Sequence, residues 1–237
     1  KQLFKPLVKP GYILGSLKPE IAQQIGSNAQ VVLPLTHDSA SAFHAIDVDL
    51  DSVIISSGTW SLVGGKLKHG NNSIRSLETN FTNEGGKGFI CYLKNIMGLW
   101  LYTEVKKKHT YGYDEISALA LASTYNEIFD VNDYSLLSPA DMKEAIIKLL
   151  PSNNPPKSDG DLYRAILRSL ATFYLKTCNE LSDNLAQRYN RICIVGGGAN
   201  NKALNKFTEE ITKCQVISIP MEATTVGNLK TQIEVIK

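Results

Sequence analysis

The sequence lacks any long apolar run. No stretch approaches the roughly 18 consecutive apolar residues that a membrane-spanning helix requires, and no segment has the pattern of a secretory signal. We therefore expect a cytoplasmic protein with no membrane partner. An excess of charge of one sign is also missing, since 25 basic residues face 23 acidic ones. The compact basic run at residues 106–108 is typical of a solvated helix end, so charge gives no support to nucleic-acid binding.

Cysteine is scarce and widely spaced. The four cysteines, Cys91, Cys178, Cys193 and Cys214, form no C-x-x-C pair, so their spacing gives no support to a zinc site. Cys193 lies inside the apolar run at residues 192–195, which indicates a buried, unreactive thiol. We predict no metal-ligating residue in this chain. With 43% hydrophobic and 20% charged residues, the composition is that of an ordinary globular protein with enough apolar material for a large core.

Strand and helix signals alternate towards the end of the chain and predict an α/β layered fold. The pattern there predicts a strand at residues 191–195, a glycine turn, a helix from about Asn200, a strand at 216–219 and the start of another helix after Pro220. Before this unit, the apolar spacing over residues 161–188 predicts a long amphipathic helix.

Earlier in the chain the signals are mixed. Residues 52–67 contain two β-rich runs around Gly58 and Thr59, which predicts a tight strand–turn–strand. Residues 71–91 are polar, contain glycine and show little periodicity, so we interpret them as a loop. From Leu93 to Val105 the apolar residues have helical spacing, which predicts one helix.

Two glycine-containing turns are candidates for binding a nucleotide. Gly196, Gly197 and Gly198 follow a hydrophobic strand and precede a helix, where the backbone can approach an anion or a nucleotide edge. The alternative is a flexible strand-to-helix turn that binds no ligand. A glycine triplet alone is weak evidence for nucleotide binding. Residues 56–59 join two strands and can offer backbone N–H and hydroxyl donors to a phosphate. The alternative interpretation of residues 56–59 is an ordinary hairpin turn.

Two polar segments are candidates for the chemistry of a substrate. Asp38 follows a short strand, where its carboxylate could accept a proton from a substrate hydroxyl; it could equally be the N-cap of the next helix. Residues 80–86 and the nearby pair 94–95 combine amides, hydroxyls and a carboxylate, which suits a polyhydroxylated ligand. A solvated loop with turns and caps would contain the same residue types.

Taken together, these segments resemble the FGGY carbohydrate kinases. The residues that carry the resemblance lie, in order, at 36–42, 56–64, 80–86, 93–101, 194–198, 222–224 and 227–228. Their order and spacing match the family over nearly the whole chain. Within the family, residues 82–86 and 93–100 are similar to the branch that phosphorylates L-rhamnulose.

The resemblance implies an α/β fold of the actin-like, ribonuclease-H-like ATPase class. It also implies that residues 1–45 are a remnant of a preceding, sugar-side domain and that residues 46–237 form the nucleotide-side domain. On this interpretation the chain begins inside a longer protein and stops early, within the helix after residues 227–228. The missing N-terminal domain is then a partner of this chain, and it would carry the first phosphate-binding loop with a metal-associated aspartate.

The resemblance further implies a role for individual residues. Asp38 is similar to the catalytic base that takes the proton of the attacking sugar hydroxyl. The sugar-contacting positions are matched by His37, Asp38, Ser39 and Asn95, and the ATP-contacting positions by Thr59, Gly196, Gly197 and Gly198.

The implied function is phosphorylation of L-rhamnulose at its primary hydroxyl, with ATP and Mg²⁺. Kinases for xylulose, fuculose or ribulose remain alternatives, as does a non-catalytic nucleotide- or sugar-binding domain of the same fold. Two positions depart from the family pattern. Ser39 stands where threonine is usual, and Thr103 occupies a position where glutamine can contact ATP, so we do not assign that contact to Thr103.

Overall fold

The computed structural model describes residues 6–48 and 51–236. Its strands are β1 (Ile13–Ser16), β2 (Gln30–Val32), β3 (Ser52–Ser57), β4 (Trp60–Leu67), β5 (Thr82–Gly85), β6 (Ile90–Met97), β7 (Arg191–Val195) and β8 (Gln215–Ile219). Its α-helices are α1 (Pro19–Ile25), α2 (Asp38–Ala45), α3 (Ile74–Glu78), α4 (Trp100–Lys106), α5 (Tyr113–Ala122), α6 (Met142–Leu149), α7 (Asp159–Leu185), α8 (Lys202–Thr212) and α9 (Ala223–Ile236). Two short 3₁₀ turns lie at Tyr134–Leu136 and Gly197–Asn200.

A six-stranded sheet with the order β5-β6-β4-β3-β7-β8 organises most of the chain. Strands β5, β6, β4 and β3 pair antiparallel, whereas β3, β7 and β8 run parallel. The parallel strands are joined through helices, as crossover connections require. Without the edge strand β5, this is the arrangement of the ribonuclease-H-like fold that the resemblance implies, so the predicted fold class is confirmed.

Helices cover both faces of the sheet. On one face Val53, Ile55, Ile192 and Ile194 pack with the buried side of the long helix α7 and its neighbours. On the other face Ile54, Leu93, Cys193 and Val195 pack with the α2 residues Ala42 and Phe43. Because successive residues of a strand point to opposite faces, strands covered on both sides are apolar at nearly every position.

Helix α9 lies against α2 along its length. A Cβ added at Gly227 would stand 1.8 Å from the Ser41 carbonyl oxygen, so only glycine permits this approach. The Thr224 hydroxyl donates to the Asp38 carbonyl oxygen at 3.3 Å, at the start of α2. Just beyond the C-terminal end of α2, the Asp47 carboxylate contacts Lys230 of α9 at 2.5 Å. Helix α9 therefore fixes the position of the helix that begins with Asp38.

The N-terminal segment forms a small unit of its own. Strands β1 and β2 pair in a separate antiparallel sheet, and α1 between them has no buried residue. Helix α2, just before the predicted boundary at residue 45, packs on the six-stranded sheet. The division into a remnant at 1–45 and a domain at 46–237 stays a prediction. The interpretation of residues 1–7 as the interior of a longer chain stays a prediction, and residues 1–5 of that segment lie outside the described residues.

Two of the element predictions are wrong. The helix expected from Leu93 begins only at Trp100, because residues 90–97 form strand β6. This strand is buried on both faces, with Leu93 in one core and Tyr92 and Ile96 in the other, so its apolar residues imitate helical spacing. The loop expected at residues 71–91 contains α3 and β5.

The other element predictions agree with the structure. The strand–turn–strand around Gly58, the long helix and the closing strand–helix–strand–helix unit are all present, and Cys193 is fully buried. Burial raises the pKa of the Cys193 thiol to about 11, which agrees with an unreactive residue. Among the described residues, no helix is both long enough and apolar enough to cross a membrane.

Candidate functional site

The two glycine-containing turns meet at one end of the sheet. Strands β3 and β7 are parallel neighbours, and Ser56 pairs with Val195 at their carboxyl ends. The chain leaves β3 through the turn at residues 58–59 and leaves β7 through the glycine triplet. Ligands of open α/β sheets bind in the crevice outside the carboxyl ends of such strands, so the topology brings both turns to the place where a ligand is expected.

The three glycines occupy different positions. Gly196 has φ of 77°, in the left-handed region, and a Cβ there would lie 2.9 Å from the Ser57 carbonyl oxygen. A Cβ at Gly198 would lie 2.0 Å from the Ser57 hydroxyl oxygen. These two residues therefore pack the loop onto β3. Gly197 is the exposed member of the triplet, and it lines a cavity.

A buried tyrosine supports the turn after β3 from beneath. The hydroxyl of Tyr174, on α7, lies 2.8 Å from the Ser61 hydroxyl and 3.3 Å from the Ser57 hydroxyl. Ser57 and Ser61 flank the turn that holds Gly58 and Thr59 and pair across the hairpin. Burial raises the pKa of Tyr174, so the phenol stays protonated and can donate one of these bonds. The long helix thereby contacts both ends of the turn.

One cavity of about 420 Å³ lies between the two turns. Gly58 and Thr59 form one side and Gly197 the other, which joins the two predicted nucleotide-contacting segments around a single space. Its remaining walls are formed by Leu99, Tyr102, Thr103, Tyr113, Ser117, Asn200 and Asn201. Thr103 thus lies beside this cavity, although its hydroxyl donates to the Leu99 carbonyl oxygen at 2.9 Å.

A second cavity of about 780 Å³ lies on the α2 side of the same turn. It shares Gly58 and Thr59 with the first cavity, and it is lined by the candidate residues His37, Asp38 and Asn95. Its other lining residues are Ser56, Trp60, Leu62, Asn80, Thr82, Glu84 and Leu93. The lining residues of β4, β5 and β6 belong to the sheet face that α2 covers, because Thr82 pairs with Leu93 and Leu62 with Asn95.

Asp38 is the first residue of α2, and His37 is its N-cap. The Asp38 carboxylate accepts from the Ser39 N–H at 2.8 Å, and its side chain is 81% exposed. The positive end of the helix dipole favours a carboxylate at this position. The N-cap alternative for Asp38 is wrong by one position, because His37 is the N-cap and Asp38 lies inside the first turn. The carboxylate stands open to the cavity, and its role as a base stays a prediction.

His37, Ser39 and Glu84 form a polar cluster beside Asp38. The Ser39 hydroxyl contacts both the His37 Nδ1 and the Glu84 carboxylate at short hydrogen-bonding distance. The His37 Nδ1 lies 3.3 Å from Glu84 Oε2 and also 3.3 Å from Asp38 Oδ1. Ser39 is buried, and the Glu84 side chain is 21% exposed. The cluster joins the start of α2 to the edge strand β5.

Two residues of this region were not among the predicted site residues. Glu84 supplied the carboxylate of the candidate segment at residues 80–86 but was given no role of its own, because the segment was interpreted as a loop and a short polar strand has no periodic signal. Tyr174 stood within the apolar face of the long helix. A buried tyrosine hydroxyl usually finds a hydrogen-bond partner, but the sequence does not say which one.

The described part of the chain contains no group of three or more histidine, cysteine, aspartate or glutamate side chains arranged to hold a metal ion. The predicted roles of Asp38, His37, Ser39, Asn95, Thr59 and the three glycines stay predictions.

Comparison with known proteins gives the family. Residues 53–233 match the C-terminal domain of the FGGY family of carbohydrate kinases. Rhamnulokinase of Halalkalibacterium halodurans is 34% identical over 235 residues, which are 97% of this chain and 50% of that protein. Rhamnulokinase of Klebsiella pneumoniae is 36% identical over 230 residues, 94% of this chain and 46% of that protein. The chain therefore spans about half the length of these relatives.

A solved structure shows the same fold at low sequence identity. The crystal structure of xylulose kinase from Rhodospirillum rubrum superimposes with a TM-score of 0.71 and 15% identity, over 96% of this chain and 47% of that chain. The family match covers most of the described residues, and the fold agrees with it. The chain belongs to the FGGY family of carbohydrate kinases.

Proposed function

We propose that this chain is the nucleotide-side part of an ATP-dependent sugar kinase that converts L-rhamnulose to L-rhamnulose 1-phosphate. The observation that carries the proposal is the shared wall of the two cavities. Gly58 and Thr59 line both the space next to Gly197 and the space next to Asp38. A nucleotide between the two turns would direct its phosphates past Thr59 towards Asp38. The sugar would then occupy the larger cavity.

Each candidate residue has a role in this proposal. The primary hydroxyl of the sugar attacks the γ-phosphorus of ATP, the bond from that phosphorus to the β-bridging oxygen breaks, and ADP leaves. Asp38 would accept the hydroxyl proton, for which its exposed carboxylate is suited. Thr59 would contact the phosphates, Gly197 the adenosine side, and His37, Ser39 and Asn95 the sugar hydroxyls. Gly196 and Gly198 would hold the loop close to the nucleotide.

Mg²⁺ would accompany the phosphates of ATP and neutralise charge there. The residues around the smaller cavity are hydroxyl, amide, aromatic and backbone groups, which fit a nucleotide better than a bare metal ion. We therefore assign the metal-associated carboxylate to a preceding domain, which together with residues 1–45 would complete the sugar site. The chain joined to that domain is called the intact protein below.

The substrate is proposed from the relatives that bear the name rhamnulokinase. Xylulose, fuculose and ribulose are the competing sugars. A panel of these four ketoses with the intact protein, ATP and Mg²⁺ separates them, and the highest kcat/KM identifies the substrate. The chain alone lacks one wall of the proposed cleft, so we expect it to bind nucleotide weakly and to show negligible turnover, because positioning supplies most of the catalysis in phosphoryl transfer.

Asp38→Asn in the intact protein tests the catalytic assignment. We expect kcat to fall by about 10²- to 10⁴-fold, the usual contribution of a general base, while the affinity for ATP stays nearly unchanged. Asp114→Asn is the matched control, since Asp114 is 89% exposed and lies in the first turn of α5. Full turnover in Asp38→Asn would refute the role of Asp38. Nucleotide binding without turnover on any sugar would favour a non-catalytic binding domain.

A further inference from the structure

The cluster around Ser39 has only one consistent set of hydrogen-bond directions. The Glu84 carboxylate, when ionised, can only accept, so the Ser39 hydroxyl must donate its proton to Glu84. The Ser39 oxygen is then an acceptor towards the His37 Nδ1, which must carry a proton. The chain of donors runs from His37 Nδ1–H to Ser39 and from Ser39 to Glu84. Asp38 Oδ1, at 3.3 Å from the same nitrogen, favours the same arrangement.

In the neutral ring, this arrangement determines what His37 can offer to a ligand. With the proton held on Nδ1, the Nε2 of the neutral ring is an acceptor. The side chain is 59% exposed and lines the larger cavity. His37 would therefore accept a hydrogen bond from a hydroxyl group of the ligand.

Packing alone gives no reason for a carboxylate at residue 84. The Glu84 side chain lies in the same cavity as the Asp38 carboxylate, and both approach one imidazole nitrogen. Two like charges this close repel each other, so a neutral side chain would serve stability better. We explain the Glu84 carboxylate by its effect on two protons. It accepts the proton of the Ser39 hydroxyl, and it thereby fixes a proton on the His37 Nδ1.

We propose that Glu84 is a positioning residue that sets the tautomer of His37 through Ser39 and so makes Nε2 the acceptor for a sugar hydroxyl. The sugar-binding part of this inference rests on the proposed kinase function. The tautomer part rests on the described residues alone, so the two parts can fail separately.

Nitrogen-15 NMR of the imidazole groups tests the tautomer in the 237-residue chain at about pH 8.5, where histidine side chains are ordinarily neutral. The His37 signals, assigned by their loss in His37→Gln, are expected to show the Nδ1–H form. Glu84→Leu removes the acceptor at similar volume, and a measurable Nε2–H fraction is expected in it. Glu84→Gln, which keeps an acceptor oxygen, should lie between the two. An Nε2–H ring in the unaltered chain, or identical spectra in the unaltered chain and Glu84→Leu, overturns the proposal.

Kinetics of the intact protein test the consequence for sugar binding. We expect Glu84→Leu to raise the KM for the sugar about tenfold or more, the order expected when a hydrogen-bonding network to a charged group is lost, and to leave the KM for ATP unchanged. Glu78→Leu, at an exposed glutamate that ends α3 four residues before β5, is the control with unchanged constants. Equal rises in both KM values would indicate a general structural defect and refute the positioning role. If the unaltered intact protein phosphorylates none of the sugars, the kinase proposal fails, while the NMR measurement still decides the tautomer.

Discussion

The contact between α9 and α2 permits a quantitative test of what holds Asp38 in place. In Gly227→Ala the new Cβ would lie 1.8 Å from the Ser41 carbonyl oxygen and 2.6 Å from the carbonyl carbon, whereas ordinary contacts begin near 3.4 Å. The clash involves backbone atoms of a helix, which cannot rotate away as a side chain can. The two helices must therefore separate by more than an ångström, and the buried residues between them lose contact.

The magnitude follows from two opposing effects. Alanine in place of glycine inside a helix stabilises by about 1 kcal/mol. Overpacking a tight contact costs about 1–3 kcal/mol and occasionally more, and a gap of about 1 Å removes up to about half of the dispersion energy of each contact that it opens. Because the overlap here is severe, we expect a net loss of about 2 kcal/mol in the free energy of unfolding.

Urea unfolding of the chain followed by circular dichroism measures this loss. With an m-value of about 3 kcal/mol/M, the midpoint should fall by about 0.7 M. Gly85→Ala, in strand β5, is the control: nothing lies within 4 Å of its new Cβ and its φ is not positive, so its midpoint should stay nearly unchanged. A Gly227→Ala midpoint equal to or above that of the unaltered chain would refute the assigned packing of α9 on α2.

Two further predictions concern buried groups. Tyr174→Phe removes the phenol hydroxyl that contacts Ser57 and Ser61, so we expect a loss of about 1–3 kcal/mol in the free energy of unfolding and a higher KM for ATP in the intact protein. An unchanged KM for ATP would contradict the support of the turn by Tyr174. Burial lowers the pKa of His44, against the opposing effect of Glu234. The unfolded chain therefore binds more protons below pH 6.5, and stability should fall as the pH drops from about 6.5 through the lowered pKa. In His44→Asn the unfolding midpoint should change less with pH over this range than in the unaltered chain. An equal pH dependence in both proteins would contradict the role of His44.

Local sequence signals were sufficient to predict an element where one period of apolar residues dominates. The long helix has an apolar stripe, a serine N-cap whose side chain accepts from the Asp161 N–H, and no proline within it. The turn after β3 and the strand before the glycine triplet were predicted from equally local signals, namely the glycines and the apolar runs beside them. Prediction failed at β6, because a strand buried on both faces has apolar residues at almost every position, and at β5, because a short polar edge strand has no periodic signal.

The sequence by itself determined the fold class and pointed to Asp38, Thr59 and the glycine triplet as candidates for one site. Only the tertiary structure decided that Thr59 borders two cavities, that Gly197 rather than its neighbours faces the smaller one, and that Glu84 reaches Ser39. The physical reason is the range of the interactions. Helix periods, caps and turns depend on neighbours in the chain, whereas the contact between Ser39 and Glu84 joins side chains 45 residues apart and exists only when α2 is packed beside the edge of the sheet.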